Sequence, residues 1–151
     1  MHENANKIIF PYSFSPVMTT RFFEMAKAAY YPTVVKPRNR ELAILGLSSV
    51  LNTPYVAYCH RSVADKVGLT SQQYEAGLAG TVPLGLSEEE ATAYRLGRHL
   101  TSLNGPLDDA TWNEVTAKME KTEVVGIVHV IGGYRWVALL DWVNGDHEKS
   151  T

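Results

Sequence analysis

The chain lacks several features that would assign it to a large functional class. Among its 151 residues there is one cysteine, the formal net charge is -2, and no block of lysine and arginine occurs. Because phosphate binding needs clustered positive charge, nucleic acid is not an expected partner. A single cysteine forms no internal disulfide, and the polar opening MHENANK does not read as a signal peptide. We therefore expect a protein of the reducing cytoplasm.

The sequence also lacks the signals of metal sites, phosphate loops and β-structure. No His, Asp and Glu spacing is typical of a metal site, no glycine-rich loop follows a strand, and no long polar–apolar alternation indicates a strand. Repeats and linkers are absent too. With 45% hydrophobic and 20% charged residues, the composition predicts a single domain over residues 1–151. We expect neither a metal nor another cofactor.

Prolines and capping residues divide the chain into six or seven predicted helices. Proline is tolerated in a first turn, and a capping box satisfies free N–H groups there. The second helix is expected to run to Asn52, and residues 1–14 are expected to form an extended arm. The fold predicted is an all-α bundle of mostly antiparallel neighbours. The expected helix starts are Pro16, Pro37, Pro54, Thr70 with Gln73, Ser87 with Glu90, Asp108 or Asp109, and Glu123.

The last predicted helix, 124–143, is apolar on most faces (VVGIVHVIGGYRWVALLDWV). It carries His129, Arg135 and Asp141, and its uninterrupted apolar part is too short to span a bilayer. Such a helix is expected to be buried or to lie at a subunit interface, not in a membrane. On a monomer it would leave a large hydrophobic patch, so we expect a homo-oligomer.

The segment 52–68, NTPYVAYCHRSVADKVG, places a histidine directly after the only cysteine. On a helix, residues three and four away from His60 are valines and alanines, so its imidazole is partly withdrawn from water. This favours the neutral form, which can act as a general base, although a core histidine with one hydrogen bond is the alternative. Adjacent side chains diverge by about 100° on a helix. Cys59 and His60 are therefore not expected to form a nucleophile–base pair, and Cys59 more often acts as a small hydrophobe.

Three residues at equal spacing, His60, Ala64 and Gly68, are followed by LTSQQYEAGLAG. This pattern resembles the carboxymuconolactone decarboxylase and alkylhydroperoxidase D superfamily. The Arg-Glu pair at 40–41 matches the family's usual pair in the preceding helix, and the Gly-Tyr at 133–134 matches one often found in its long final helix. The resemblance covers the chain from about residue 21 to the end of the last helix. It implies an alkylhydroperoxidase D-like bundle.

The two branches of this superfamily differ in the residues before the histidine. The peroxidase branch carries two cysteines, at the positions held here by Thr53 and Val56, and neither side chain can form or resolve a sulfenic acid. The decarboxylase branch needs no thiols, but its Tyr-Glu-Trp run corresponds here to Tyr55, Val56 and Ala57. A pocket with valine and alanine in those places is expected to accept a bulkier, less polar ligand.

Glu41 stands where the resemblance places a proton-relay glutamate. Counting helix rise puts Glu41 about 18 Å and His60 about 9 Å from the helix junction, so contact is expected only through a kink or a second subunit. A solvated first-turn residue is the alternative. In the last helix, His129 shares a face with three glycines, which either pack against another backbone or let a ligand approach. In the second case His129 and Tyr134 line a pocket that faces His60.

We therefore expect a cofactor-free enzyme that decarboxylates, opens or isomerises a small cyclic or polyketide-like carbonyl compound. His60 is the expected general acid/base and Glu41 its relay. A tyrosine is expected to donate a hydrogen bond to the developing enolate oxygen: Tyr55, Tyr58 or Tyr134. Two other functions remain open, a thiol-dependent peroxidase or reductase using Cys59 and a non-catalytic ligand-binding or scaffold protein. The expected substrate-binding residues are Tyr55, Val56, Tyr58, Cys59, His129, Gly133 and Tyr134.

Overall fold

Seven α-helices account for most of the chain in the computed structural model, which describes residues 15–51 and 53–144. No strand occurs within these ranges, so the prediction of an all-α protein is confirmed. The predicted arm at residues 1–14 lies outside the described residues. In chain order the helices are α1 (Pro16–Ala29), α2 (Pro37–Ser48), α3 (Pro54–Lys66), α4 (Ser71–Leu78), α5 (Glu88–Ser102), α6 (Asp109–Thr116) and α7 (Lys121–Asn144).

The helices begin where local chemistry predicts. α1, α2 and α3 each have a proline in the first turn, where the missing N–H would have no partner within the helix. α4 and α5 open on complete capping boxes, formed by Thr70 with Gln73 and by Ser87 with Glu90. At α6 it is Asp108 that caps, since its carboxylate accepts from a backbone N–H of the first turn.

α2 is the central helix of the bundle. Residues 39–47 are all buried, and the helix packs against α3, α4, α5 and α7. It approaches α5 closely at two glycines. A Cβ at Gly46 would overlap the carbonyl oxygen of Tyr94, and one at Gly97 would overlap that of Ala43. The two helices therefore cross at a separation that only glycine allows at these positions.

A buried carboxylate from α7 fixes the start of α2. Oε1 of Glu123 accepts from the backbone N–H of Lys36 at 3.0 Å and from the side-chain amide of Asn39 at 2.9 Å. A negative charge at this end of a helix is favourable, because the unpaired N–H groups there carry partial positive charge. This contact sets the position of α7 against the helix that carries Glu41.

α2 ends at Ser48 instead of running to Asn52, and the chain turns through residues 49–51. Glu41 therefore lies only about 10 Å of helix rise from the end of α2, and His60 lies about 9 Å from the start of α3. The two residues stand at matching heights on neighbouring helices. The expectation that straight helices hold Glu41 and His60 apart is wrong, because it counted the turn as helix.

α7 combines a buried part with an exposed apolar part. Its stretch Lys121–Val143 is long and apolar enough to cross a membrane by length and composition alone, contrary to the expectation that it is too short. In its most apolar 18-residue window, 39% is buried within the protein. A core helix of a globular protein meets the same criterion. Length and composition of this kind are therefore shared by membrane spans and by helices packed against protein.

α1 lies on α7 and contributes no fully buried residue. Its main anchor is Phe22, whose ring packs on that of Trp136 with the centroids 4.1 Å apart. Because α1 covers α7 next to α3, the three helices enclose a space between them. This space contains the candidate site.

Candidate active site

A pocket of about 610 Å³ lies between α1, α3 and α7. Most of its wall is apolar: α1 contributes Phe22 and Phe23, and α7 contributes Val130 and Val137. A concave, mainly apolar space of this size with a few polar groups is typical of a small-molecule site.

Most of the residues expected to bind a substrate line this pocket, but Tyr58 does not. Tyr58 is 69% exposed and lies outside the lining. The α3 residues that line the pocket, at positions 55, 56, 59 and 60, share one face of the helix. The side chain at position 58 points about 100° away from that of Cys59. Tyr58 therefore lies outside the pocket that the other expected residues line. The expected residues that do line the pocket are Tyr55, Val56, Cys59 and His60 from α3, and His129, Gly133 and Tyr134 from α7.

His60 stands in the pocket wall with both ring nitrogens in hydrogen-bond contact. Nδ1 is 2.6 Å from Oε2 of Glu41, and Nε2 is 2.6 Å from the hydroxyl oxygen of Tyr134. The Tyr134 ring stands edge-on to the imidazole, with the centroids 5.0 Å apart. His60 is 9% exposed and Glu41 2%. The imidazole therefore links a buried carboxylate to a phenol of the pocket wall, within one chain and without a second subunit.

The other oxygen of Glu41 is held by a buried arginine. Nε of Arg40 donates to Oε1 of Glu41 at 3.0 Å, and Arg40 is 5% exposed. The ion pair offsets the cost of burying the carboxylate. A carboxylate only accepts hydrogen bonds, so the proton of a neutral His60 lies on Nδ1. Its Nε2 is then an acceptor, and the hydroxyl of Tyr134 donates to it.

The hydrogen-bond chain continues from Tyr134 to Tyr30. Their hydroxyl oxygens are 2.7 Å apart, and both residues line the pocket. The guanidinium of Arg40 lies 4.0 Å over the Tyr30 ring, in a cation–π contact. Arg40 therefore touches both ends of a continuous chain that runs from Glu41 through His60 and Tyr134 to Tyr30.

Both phenols of the chain hold their protons more tightly than an ordinary tyrosine. Burial raises the pKa of Tyr134, and the neighbouring Tyr30 hydroxyl and Glu41 carboxylate raise it further. Burial also raises the pKa of Tyr30, although the hydrogen bond with Tyr134 and the charge of Arg40 act in the opposite direction. At neutral pH each phenol is therefore protonated and has one proton to pass on.

Cys59 lies in the pocket wall without being paired to His60. Its side chain interacts with the hydroxyl of Tyr55 one turn earlier, and this interaction, together with burial, raises the pKa of Tyr55. Both nitrogens of His60 have other partners. The arrangement lacks the hydrogen-bonded base that a nucleophilic thiol requires.

The three glycines near His129 have different surroundings. Gly126 lies against the backbone and side chains of residues 34–35, and Gly133 faces the Phe22 ring. At Gly132, no described atom outside its own helix lies within 4 Å of where a Cβ would be. Gly126 therefore packs closely against the turn that precedes α2, whereas Gly133 is part of the pocket wall beside His129.

The residues from α1 were not expected at the site. Phe22 and Ala26 of α1 and Tyr30, directly after its end, recur every four residues, which marks one face of a helix. That spacing is a signal for a packed face, but nothing in it indicates the pocket that the face covers. Lys27, which also lines the pocket, was missed for the same reason.

Within residues 15–51 and 53–144, no group of three His, Cys, Asp or Glu side chains is arranged to hold a metal ion. The polar groups that line the pocket can exchange protons and donate hydrogen bonds, which is the chemistry of general acid/base catalysis. No protein-family profile, curated protein or solved structure matches this chain.

Proposed function

We propose that this protein is a cofactor-free proton-transfer enzyme, similar to carboxymuconolactone decarboxylases, that acts on a small cyclic or polyketide-like carbonyl compound. The reaction is a decarboxylation, a ring opening or an isomerisation, with His60 as general acid/base. One observation carries the proposal: His60 lies in the wall of an apolar pocket, 2.6 Å from Glu41 on one side and 2.6 Å from Tyr134 on the other.

The three reactions share one requirement, a group that both takes up and releases a proton near neutral pH. In decarboxylation the electrons of the breaking carbon–carbon bond form an enolate, which is then protonated. In isomerisation a proton leaves the carbon next to the carbonyl and returns elsewhere. Histidine suits both roles, and the Glu41 carboxylate stabilises the imidazolium that forms when His60 takes up a proton.

The pocket wall supports the proposed substrate class. Its apolar side is built by Phe22, Phe23, Val130 and Val137, so a ligand with a broad apolar body fits there. Lys27, exposed in the lining, offers a positive charge to a substrate carboxylate. We expect a compound that is apolar over most of its surface and carries its carbonyl group on the side of His60.

An alkylhydroperoxidase D-like arrangement of the helices is part of the proposal. The resemblance in the H-x-x-x-A-x-x-x-G motif and in the Arg-Glu pair at 40–41 supports it. The contact between His60 and Glu41 supports it as well, because the resemblance assigns those two residues to one relay.

The proposal is tested by proton exchange and decarboxylation in D2O. Cyclohexanone, 2-tetralone and 2-oxocyclohexanecarboxylate would be incubated with the protein, and deuterium uptake and loss of carbon dioxide followed by proton NMR. We expect acceleration over buffer for at least one compound and a fall of about 10²–10⁴-fold in that rate for His60→Asn. His99→Asn is the matched control, because His99 is exposed on α5.

Two outcomes would contradict the proposal. If the wild-type protein accelerates none of the three reactions, it is not a proton-transfer enzyme for this class of compound. If His60→Asn retains the wild-type rate while His129→Asn loses it, the proton carrier of the pocket is on α7.

A ligand-binding protein without turnover is the alternative that the same pocket supports, because an apolar wall binds a ligand whether or not it reacts. The two functions separate in one measurement: a binding protein returns its ligand chemically unchanged after prolonged incubation. A peroxidase that uses Cys59 receives no comparable support, since the positions of the family thiols are Thr53 and Val56.

We also propose that the protein self-associates through α1 and α7. Val125, Val128 and Leu139 on α7 and Met18 on α1 are all more than 40% exposed. A second copy would cover these side chains, which on a monomer form an apolar surface in water. Light scattering at micromolar concentration should give a multiple of the 16.8 kDa chain mass. A monomeric mass would contradict the proposal.

A further inference from the structure

We infer that Tyr30 is the residue that exchanges a proton with the substrate, as the outer end of the chain that runs from Glu41 through His60 and Tyr134. This inference rests on the proposed function and names the group that touches the substrate. Under this inference His60 accepts the proton that leaves the substrate and later returns it, in both directions through the two phenols.

His60 has no ring nitrogen left for a substrate. Nδ1 contacts Glu41 and Nε2 contacts Tyr134, both at 2.6 Å. A substrate atom could reach Nε2 only by displacing the hydroxyl of Tyr134. That displacement would break the two hydrogen bonds of that hydroxyl, which join α7 to α3 and to α1.

Tyr134 is an intermediate link for a similar reason. Its hydroxyl lies between His60 and Tyr30, at 2.6 Å and 2.7 Å. A phenol has a single proton, so Tyr134 donates either to His60 or to Tyr30 and has none left for a third group. The proton that Tyr134 passes on therefore goes to one of these two neighbours.

Tyr30 is the outer end of the chain and reaches the pocket. Tyr30 is 38% exposed and lines the pocket, and among the described residues its hydroxyl contacts that of Tyr134. When Tyr134 donates to Tyr30, the Tyr30 proton is directed to a substrate atom. The guanidinium of Arg40, 4.0 Å from the ring centre, stabilises negative charge that develops on this phenol during transfer.

The proton transfers balance without any other reactant. The bond between a substrate carbon and its hydrogen breaks, the electron pair stays as the enolate, and the proton moves to the Tyr30 oxygen. The proton of Tyr30 passes to the Tyr134 oxygen, and that of Tyr134 passes to Nε2 of His60. The products are an enolate, two neutral phenols and an imidazolium beside the Glu41 carboxylate. Reprotonation at carbon is the reverse sequence.

The raised pKa values of both phenols are consistent with a linked transfer. Burial disfavours a free phenolate at Tyr134, so each phenol gains a proton as it releases its own. The lining of the pocket is mainly apolar, so a bound substrate would displace water that could otherwise exchange protons with the phenol.

The test uses exchange of the α-hydrogens of 2-tetralone in D2O, with kcat and KM measured for the wild type and five variants of the full chain. We expect Tyr30→Phe, Tyr134→Phe and His60→Asn each to lower kcat by about 10²-fold or more. The double variant with Tyr30→Phe and His60→Asn should be no slower than either single one, since residues that act as a unit are not additive. Tyr31→Phe is the control, because Tyr31 is 61% exposed and outside the pocket lining.

Two further measurements separate proton transfer from a structural effect. The phenol 2-naphthol, a stable analogue of the enol of 2-tetralone, should bind Tyr30→Phe about 10-fold more weakly than the wild type in a fluorescence titration, because one hydrogen bond is lost. Substitution of Tyr30 by 3-fluorotyrosine, a more acidic phenol, should move the alkaline limb of the exchange rate to lower pH. The same replacement at Tyr31 should leave the pH profile unchanged.

The outcomes distinguish this inference from the proposed function. If Tyr30→Phe keeps kcat within about 3-fold of the wild type while His60→Asn loses it, His60 or Tyr134 meets the substrate directly. The inference then fails and the proposed function stands. An effect of Tyr30→Phe on KM alone also overturns the inference. If the wild type exchanges none of the ketones, the proposed function fails, and the role of Tyr30 fails with it.

Discussion

Replacing Glu41 with glutamine introduces a hydrogen-bond donor at a side chain whose two oxygens both accept hydrogen bonds. The carboxylate accepts from Arg40 with one oxygen and from His60 with the other. An amide has one acceptor oxygen, and its nitrogen donates. If the oxygen stays with Arg40, the NH2 group faces Nδ1, which must then give up its proton. The neutral imidazole of His60 then carries its proton on Nε2 and donates to Tyr134, so the direction of the chain is reversed.

The expected loss of stability for Glu41→Gln is about 3 kcal/mol. Removing one partner of a buried ion pair costs about 3–5 kcal/mol, because the other charge is left without compensation. Arg40 is 5% exposed, but the amide oxygen still accepts its hydrogen bond, so the lower end of that range applies. A domain of this size is stable by about 5–15 kcal/mol, and the variant should therefore remain folded. Its exchange rate should fall by about 10²-fold or more, since Nε2 no longer accepts a proton from Tyr134.

Three measurements check this prediction. Urea unfolding followed by circular dichroism gives the free energy of unfolding, nitrogen-15 NMR of labelled histidine gives the tautomer of His60, and 2-tetralone exchange gives the rate. Glu75→Gln is the matched control. Glu75 pairs with Arg61 at the surface, with both side chains about half exposed, and this substitution should change stability by less than about 0.5 kcal/mol.

Either of two results would refute the reasoning about Glu41. If Glu41→Gln is as stable as the wild type, Arg40 does not depend on that carboxylate for its charge compensation. If the proton of neutral His60 remains on Nδ1 in the variant, Glu41 does not set the tautomer.

Three other predictions test the packing and the remaining site residue. Gly97→Ala should lower the free energy of unfolding by about 1–3 kcal/mol, because the added methyl group would overlap the backbone of α2. Gly105→Ala should not, because no described atom beyond its chain neighbours lies within 4 Å of the added methyl group, and equal effects would contradict the close helix crossing. The free energy of unfolding should fall as pH rises above 10, because burial raises the pKa of Tyr74 from 10.0 to about 12 and the unfolded chain therefore loses this proton first. Tyr74→Phe should weaken this pH dependence of the free energy of unfolding in urea titrations between pH 8 and 11. Cys59→Ser should keep 2-tetralone exchange within about 10-fold of the wild type, and a loss above about 100-fold in a folded variant would show that the thiol takes part in the reaction.

The sequence by itself determined the class of fold and the starts of six of the seven described helices; α7 begins at Lys121, two residues before the expected Glu123. Prolines in a first turn and the capping boxes act within a few residues of each other, so their effect does not depend on the rest of the chain. The apolar helix face on which His60 lies could also be predicted from neighbouring residues, because helical periodicity alone determines which residues share a face. The end of α2 could not be predicted in the same way. The sequence at residues 49–51 is compatible with helix, and the turn that ends α2 there depends on packing.

Only the tertiary structure decided how the site is assembled. Glu41 and His60 meet because the turn after α2 brings them to the same height on neighbouring helices. Tyr30 and Tyr134 are 104 residues apart, and no local pattern relates two positions so distant in sequence. They meet because α1 lies on α7, through a ring contact and a hydrogen bond that exist only in the folded chain. Periodicity determines which side chains share a helix face, whereas the side chains on the opposing helix depend on contacts made along the whole chain.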